Sequence, residues 1–203
     1  MTDNPNLTPD RDDLVARLNL MEAMIAEGRQ ATIRFGWILV LWGLVDLVGM
    51  AIEMAHHGRP WTWPVVISTG LILQFVGSRI RRRTGHECAP NSQARICSAV
   101  WGMMGVTLLL YCFTAIFSHH AWGSTYFAAI FMTIGFAHAA SAIILRWGAQ
   151  GAVAALFWAG GLACFFLSDP WFLTIFCVEM LFGMVFFGLY AMWLERREGS
   201  VHA

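Results

Sequence analysis

Six apolar stretches, at about 33–55, 62–80, 96–118, 122–145, 150–168 and 171–194, recur along the chain with short polar links between them. Few folds can carry such a pattern. A helix rising 1.5 Å per residue crosses the roughly 30 Å of bilayer hydrocarbon in about 20 residues. Lipid offers no hydrogen bonds, so each backbone N–H and C=O must be satisfied by the chain itself, and a helix does this within one segment. The pattern predicts an all-α polytopic membrane protein with six transmembrane helices. Charged residues make up 13% of the chain, about half the roughly 25% of soluble domains.

The links orient the bundle. With six spans and the N-terminus inside, every arginine except Arg59 falls on the cytoplasmic side. Basic residues are retained on that side during insertion, so both termini are expected in the cytoplasm and the protein in the inner membrane. Trp61, Trp63, Trp122 and Trp171 then lie at the outer interface, and Trp37, Trp147 and Trp193 near the inner one. The first apolar run exceeds the roughly 7–15 residues of a signal-peptide core, and is expected to stay in the mature protein.

The spans also suggest an internal repeat. Trp42-Gly43, Trp101-Gly102 and Trp158-Ala159 mark the odd helices, and Arg81 to Arg83, Arg146 and Arg196-Arg197 close the even ones. The reading is three tandem helical hairpins across 31–197, preceded by a cytoplasmic segment at 1–30 and followed by a short tail at 198–203. Within the first segment, Thr8-Pro9 has the form of a helix start. Leu14, Leu18, Met21 and Ile25 follow at helical spacing. A short amphipathic helix is expected at about 9–27. Its polar face is acidic, whereas helices that lie on lipid are usually basic. It is expected to pack on the protein's own cytoplasmic face, on a second copy in a homo-oligomer, or on a cytoplasmic protein partner.

Several function classes lack support. All thirteen basic residues are arginines, so no lysine can form a Schiff base or reach a phosphate from a P-loop. Net charge is zero, and nucleic-acid binding needs a basic surface. Cys88, Cys97, Cys112, Cys164 and Cys177 form no CxxC pair, which speaks against a disulfide framework or thiolate zinc site. No GxSxG or HExxH motif occurs. Neither enzymatic activity nor a cofactor is expected.

The polar residues inside the apolar runs carry what remains. A charge at mid-bilayer costs about 2.5–3.5 kcal/mol on insertion scales, so it should face the bundle interior or take up a proton. Asp46, Glu53, Glu179 and His138 meet this description, with Gln74 as a further polar group. Counting helical rise puts Asp46 about 15 Å and Glu179 about 12 Å below the outer boundary. That places them at similar depth, as candidate transport and proton-binding groups. Asp46, Met50, Glu53 and His57 are spaced to share one face of the first span, a stripe suited to a polar cleft open outward. His138 lies towards the inner side. Aligning the hairpins on their terminal arginines places Ala129 and Val66 opposite Glu179, so the scaffold itself does not require the acid.

His56-His57 and His119-His120 occupy the first two outer links. They are candidate metal or pH-sensing residues, but neighbours on a helix diverge by about 100°, and no metal is assigned. Two functions fit this reading. One is transport of a proton, a cation or a proton-coupled small solute through a cleft lined by carboxylates. The other is a non-catalytic membrane sensor or anchor that uses its N-terminal helix to bind a partner or oligomerise.

Overall fold

A computed structural model describes residues 13–23, 35–56, 61–83, 92–118, 123–167 and 171–201. Every regular element among the described residues is helical. Helix α1 covers 13–23. It is followed by α2 (Gly36–His56), α3 (Thr62–Arg83), α4 (Ser92–Phe117), α5 (Ser124–Leu145) and α6 (Gly148–Ala163). Helices α7 (Trp171–Glu179) and α8 (Phe187–Val201) are joined by a π-helical stretch, Met180–Phe186, into one continuous rod. Five helices are long and apolar enough to cross a membrane: α2, α3, α4, α5 and the α7–α8 rod. Helix α6 has 16 residues, about 24 Å of rise. It is shorter than the stretch at 150–168 suggests, because Phe165 and Phe166 turn back on Leu162 and Ala163 with N···O distances of 3.1 and 3.0 Å.

The centre of the bundle is α5, α6, α2 and the α7–α8 rod. Helices α5 and α6 pack most extensively, joined by a very tight turn. Arg146 adopts the left-handed conformation (φ 48°, ψ 44°), and the Trp147 N–H closes on the Ala142 carbonyl at 3.0 Å, the bonding of a Schellman cap. Small residues then let the helices approach: Trp158 lies over Gly135, and Met132 over Gly161. Helix α2 packs mainly on the α7–α8 rod. Helices α3 and α4 are peripheral. Only 11% and 6% of their apolar windows are buried, against 44% for α5 and 50% for the rod.

Hairpin neighbours α2–α3 and α4–α5 do pack together, but the main partner of α6 is α5, and that of the rod is α2. The marking tryptophans separate in the same way. Trp42 Nε1 donates to Gln74 Oε1 across the first hairpin at 2.6 Å, and Trp101 Nε1 donates to Ser141 Oγ across the second at 3.0 Å. Trp158 instead packs back on α5. Interhelical hydrogen bonds in bilayers average about 0.6 kcal/mol and reach about 1.7. Trp42→Phe and Trp101→Phe, which keep a ring but lose the donor, are each expected to cost about 1 kcal/mol in detergent unfolding. No change in either would mean that these bonds do not hold the hairpins.

The arginine-bearing ends lie together. Arg81 Nη2 pairs with Glu195 Oε1 at 2.9 Å, joining the ends of α3 and α8. Trp147 in the α5–α6 turn stacks with Tyr190 at 6.4 Å. Trp37 packs against Gly77 near the same end. Helix α1 is exposed along its length, including Leu14, Leu18 and Met21. Of the three surfaces expected for it, the protein's own bundle does not cover it among the described residues. Its Arg17–Asp13 ion pair, at 2.9 Å, is internal to the helix.

Candidate functional site

Glu179 is the last residue of α7 and is 1% exposed. Its carboxyl lies in a notch opened by the missing side chain of Gly160, where a Cβ would collide with Glu179 Oε1 and Cδ. No side chain hydrogen-bonds either carboxylate oxygen. Ile175 Cγ2 borders the same notch, and Cys164 lies within electrostatic reach of the carboxyl; a cluster of rings packs between α5 and the preceding turns of α7. Phe127 stacks on Phe172 at 4.8 Å and meets Phe176 edge-on at 5.5 Å, and Phe131 lies 6.0 Å from Phe176. The rod changes from α to π at the next residue, Met180. A π segment bonds residue i to i+5 in place of i+4, and such segments occur frequently at functional sites.

His138, on α5, is fully buried. Its ring is caged by Trp101 edge-on at 4.9 Å, Phe157 stacked at 5.6 Å and Phe187 edge-on at 5.6 Å. Neither ring nitrogen has a hydrogen-bond partner. One turn on, Ser141 accepts the Trp101 N–H. Gln150, on α6, is also fully buried, with its amide unpartnered. Gly161 packs on Ala128 and Met132, so Glu179, beside Gly160, sits about two turns, roughly 10 Å, farther from the arginine end than His138. Phe157 touches both neighbourhoods. It stacks on His138 and fills the space over Gly183, one turn past Glu179.

Asp46 reaches the same level as Glu179. The first span and the rod run antiparallel, with Gly36 against Gly188 and Gly43 against Met180, Met184 and Val185, which carries Asp46 towards the level of residue 179. The two residues therefore share a level in the bundle, but their side chains have different neighbours. Asp46 is half-buried and lies within electrostatic reach of Cys112 on α4 and Tyr126 on α5. The Tyr126 hydroxyl hydrogen-bonds the Cys112 sulfur, and Tyr111 stacks on Tyr126 at 5.6 Å.

The stripe predicted on the first span does turn inward, with Met50 and Glu53 both buried. Glu53 Oε2 has no hydrogen-bond partner. His57, His119 and His120 lie outside the described residues, as does the side chain of His56, the last residue of α2. Among the described residues no group of three or more His, Cys, Asp or Glu side chains is placed to hold a metal. Gln74 serves Trp42.

Five residues of these neighbourhoods were not singled out from the sequence as site residues: Tyr111, Cys112, Tyr126, Gln150 and Gly160. Gln150 carried a usable signal, a lone amide beside an apolar run. The others did not, because a tyrosine, cysteine or glycine in a membrane helix looks like packing until its neighbours are known. Comparison with known protein families, curated proteins and solved structures returned no match.

Proposed function

We propose that this protein is a membrane transporter that moves protons, or a small solute together with them, with Glu179 as the proton-carrying group. The observation that carries the reading is the Glu179 carboxyl itself, buried in the notch at Gly160, without a side-chain partner, at the α-to-π junction. A packing role would have given it a hydroxyl, amide or indole to bond, as Gln74 and Ser141 have. An ionisable group held in the bundle interior without such a partner is a functional site by default. Protonated, it is neutral and tolerated in the buried notch. It ionises when water or a cation reaches it. Glu53 forms the approach from the outer side, Asp46 is a second carboxyl at the level of Glu179, and His138 is the step towards the arginine-bearing face, which positive-inside retention places in the cytoplasm. The 16-residue α6 serves as the sixth span, and the π segment supplies the conformational slack that alternating exposure requires.

Proton flux into liposomes under an imposed pH gradient tests this. Wild type is expected to conduct above empty liposomes, and Glu179→Gln, which keeps shape but cannot release a proton, to fall to their level. Equal flux in both would remove Glu179 from the path. No wild-type flux under proton, sodium or potassium gradients would count against transport.

The second reading, a sensor or anchor, draws on α1, whose apolar residues are uncovered. Removing residues 1–28 should then abolish self-association or partner capture and leave the bundle folded. Unchanged association would count against it.

A further inference from the structure

We infer that the exposed face of α3 holds one anionic phospholipid, with the lipid phosphate on Arg79 and Ser78 and an acyl chain against Phe75 and Leu71. The site stands apart from the transport reading and is measured without any flux.

Leu71, Gln74, Phe75, Ser78 and Arg79 line a groove of about 370 Å³. Their spacing puts them on one face of the helix. Polarity changes in order along that face. Leu71 and Phe75 are exposed apolar side chains. Gln74 uses its Oε1 to accept from Trp42, which leaves its amide N–H groups to donate. Ser78 and Arg79 follow about one turn, roughly 5 Å, nearer the arginine-bearing end, with a hydroxyl and a guanidinium. A phospholipid whose tails point to the membrane centre presents the complement in the same order: phosphate, then ester carbonyls, then hydrocarbon.

Charge narrows the class. Arg79 is exposed, and no carboxylate pairs with it among the described residues. Helix α3 carries no acidic residue, and Glu195 on α8 is committed to Arg81. The acids of α2 lie at other levels. Trp37 meets Gly77, and Trp42 and Val45 meet Gly70, so Asp46 falls about 15 Å of helix from Arg79, and Glu53 farther. A long arginine near a helix end usually extends outward to water. The Arg79 guanidinium instead lies 5.1 Å from the centroid of the Phe75 ring, a residue one turn deeper, and the cation–π contact holds it over the groove. A cation kept at the lipid surface without a protein counter-charge is completed by an anion from the lipid, and the guanidinium fork matches a phosphate.

The headgroup preference follows from the next turn. Arg83 is exposed one turn beyond Arg79, where the headgroup continues past the phosphate. Its charge disfavours a choline or ethanolamine cation and favours a lipid of net negative charge, as basic pockets beside membrane helices do generally. A larger groove between α4 and α5, bordered by Met103, Met132 and Phe136, has no charged side chain. It gives any lipid tail a surface but selects no headgroup.

Native mass spectrometry of the full chain tests the site, with the protein in maltoside detergent and equilibrated with dioleoyl-phosphatidylglycerol or dioleoyl-phosphatidylcholine. Saturable retention of a single phosphatidylglycerol per chain is expected, with phosphatidylcholine at least about tenfold weaker. Arg79→Gln should weaken retention by about tenfold or more, and Ser78→Ala by several-fold. Arg79→Lys, which keeps the charge but not the fork, should lose less than Arg79→Gln. Arg146→Gln, in the exposed α5–α6 turn and outside the groove, should leave retention unchanged. Arg79 is exposed and makes no ion pair among the described residues, so its variants keep the fold. Equal retention of the two lipids, no loss in Arg79→Gln, or an equal loss in Arg146→Gln would overturn the proposal, the last by revealing a general attraction to the arginine-bearing end. Excess inorganic phosphate should leave the lipid in place; displacement would assign the groove to free phosphate and not to lipid.

Discussion

Gly188→Ala is expected to destabilise the bundle by about 3 kcal/mol, at the upper end of what overpacking usually costs, and to separate α2 from α8. The cause is a reciprocal approach of two backbones. A Cβ at Gly188 would stand 2.7 Å from the Gly36 carbonyl oxygen and 2.9 Å from the Val40 nitrogen, and a Cβ at Gly36 would stand 2.7 Å from the Gly188 oxygen. A side chain in the way can change rotamer, but a carbonyl oxygen moves only with its helix. Glycine-mediated approach of this kind is a general means of joining helices in lipid, where hydrophobic burial gives no driving force. Gly102→Ala is the control. Nothing lies within 4 Å of its added Cβ, and replacing a helical glycine with alanine there should be neutral or gain up to about 1 kcal/mol. Unfolding midpoints in a mixed detergent series compare the two directly. Equal midpoints would mean that α2 and α8 are not held at glycine distance.

The same pair of glycines illustrates how far the sequence could be read. Apolar length and arginine placement were enough to find the long helices, since each is a property of one segment. The ends of α2, α3 and α5 fall within a few residues of the apolar limits. The extent of α6 was overestimated because Phe165, Phe166 and Leu167 are apolar whether they continue a helix or turn out of it. Which helix meets which was not legible. The pairing of α2 with α8 depends on Gly36 and Gly188, 152 positions apart (188 − 36), in a chain with glycines throughout. Lipid makes this harder than in a soluble protein, because residues facing lipid and residues facing the core are equally apolar. Depth along a helix could be counted, and Asp46 and Glu179 duly share a level. Azimuth could not, and it decides that one lies within electrostatic reach of Cys112 on α4 and Tyr126 on α5 while the other meets a glycine on α6. The π segment left no trace in the sequence, since Met180 to Phe186 would read as ordinary helix anywhere.

Gly160→Ala should be nearly as damaging, but through a side chain, and that difference makes it a test of function as well as of packing. The added methyl group would occupy the place of the Glu179 carboxyl and press on Ile175 Cγ2, 2.9 Å away. The carboxyl must then leave its notch, and no side chain stands ready to bond it. Overpacking of about 1–3 kcal/mol is expected, with a further cost if the displaced carboxyl is forced into apolar contact. Proton flux should fall with it, although Glu179 itself is intact. Pairing the change with Glu179→Ala separates the causes. If the notch exists to house the carboxyl, Gly160→Ala should cost little once the carboxyl is gone, a coupling of about 1–3 kcal/mol in the double-mutant cycle. Flux would stay absent in that double variant even as stability returned. Additive effects would show instead that Gly160 serves only the approach of α6 to α7, and the buried carboxyl would lose its built seat. The coupled outcome would identify a glycine kept for a proton-bearing group, with the helix surface shaped around the site at some cost in intrinsic helix propensity.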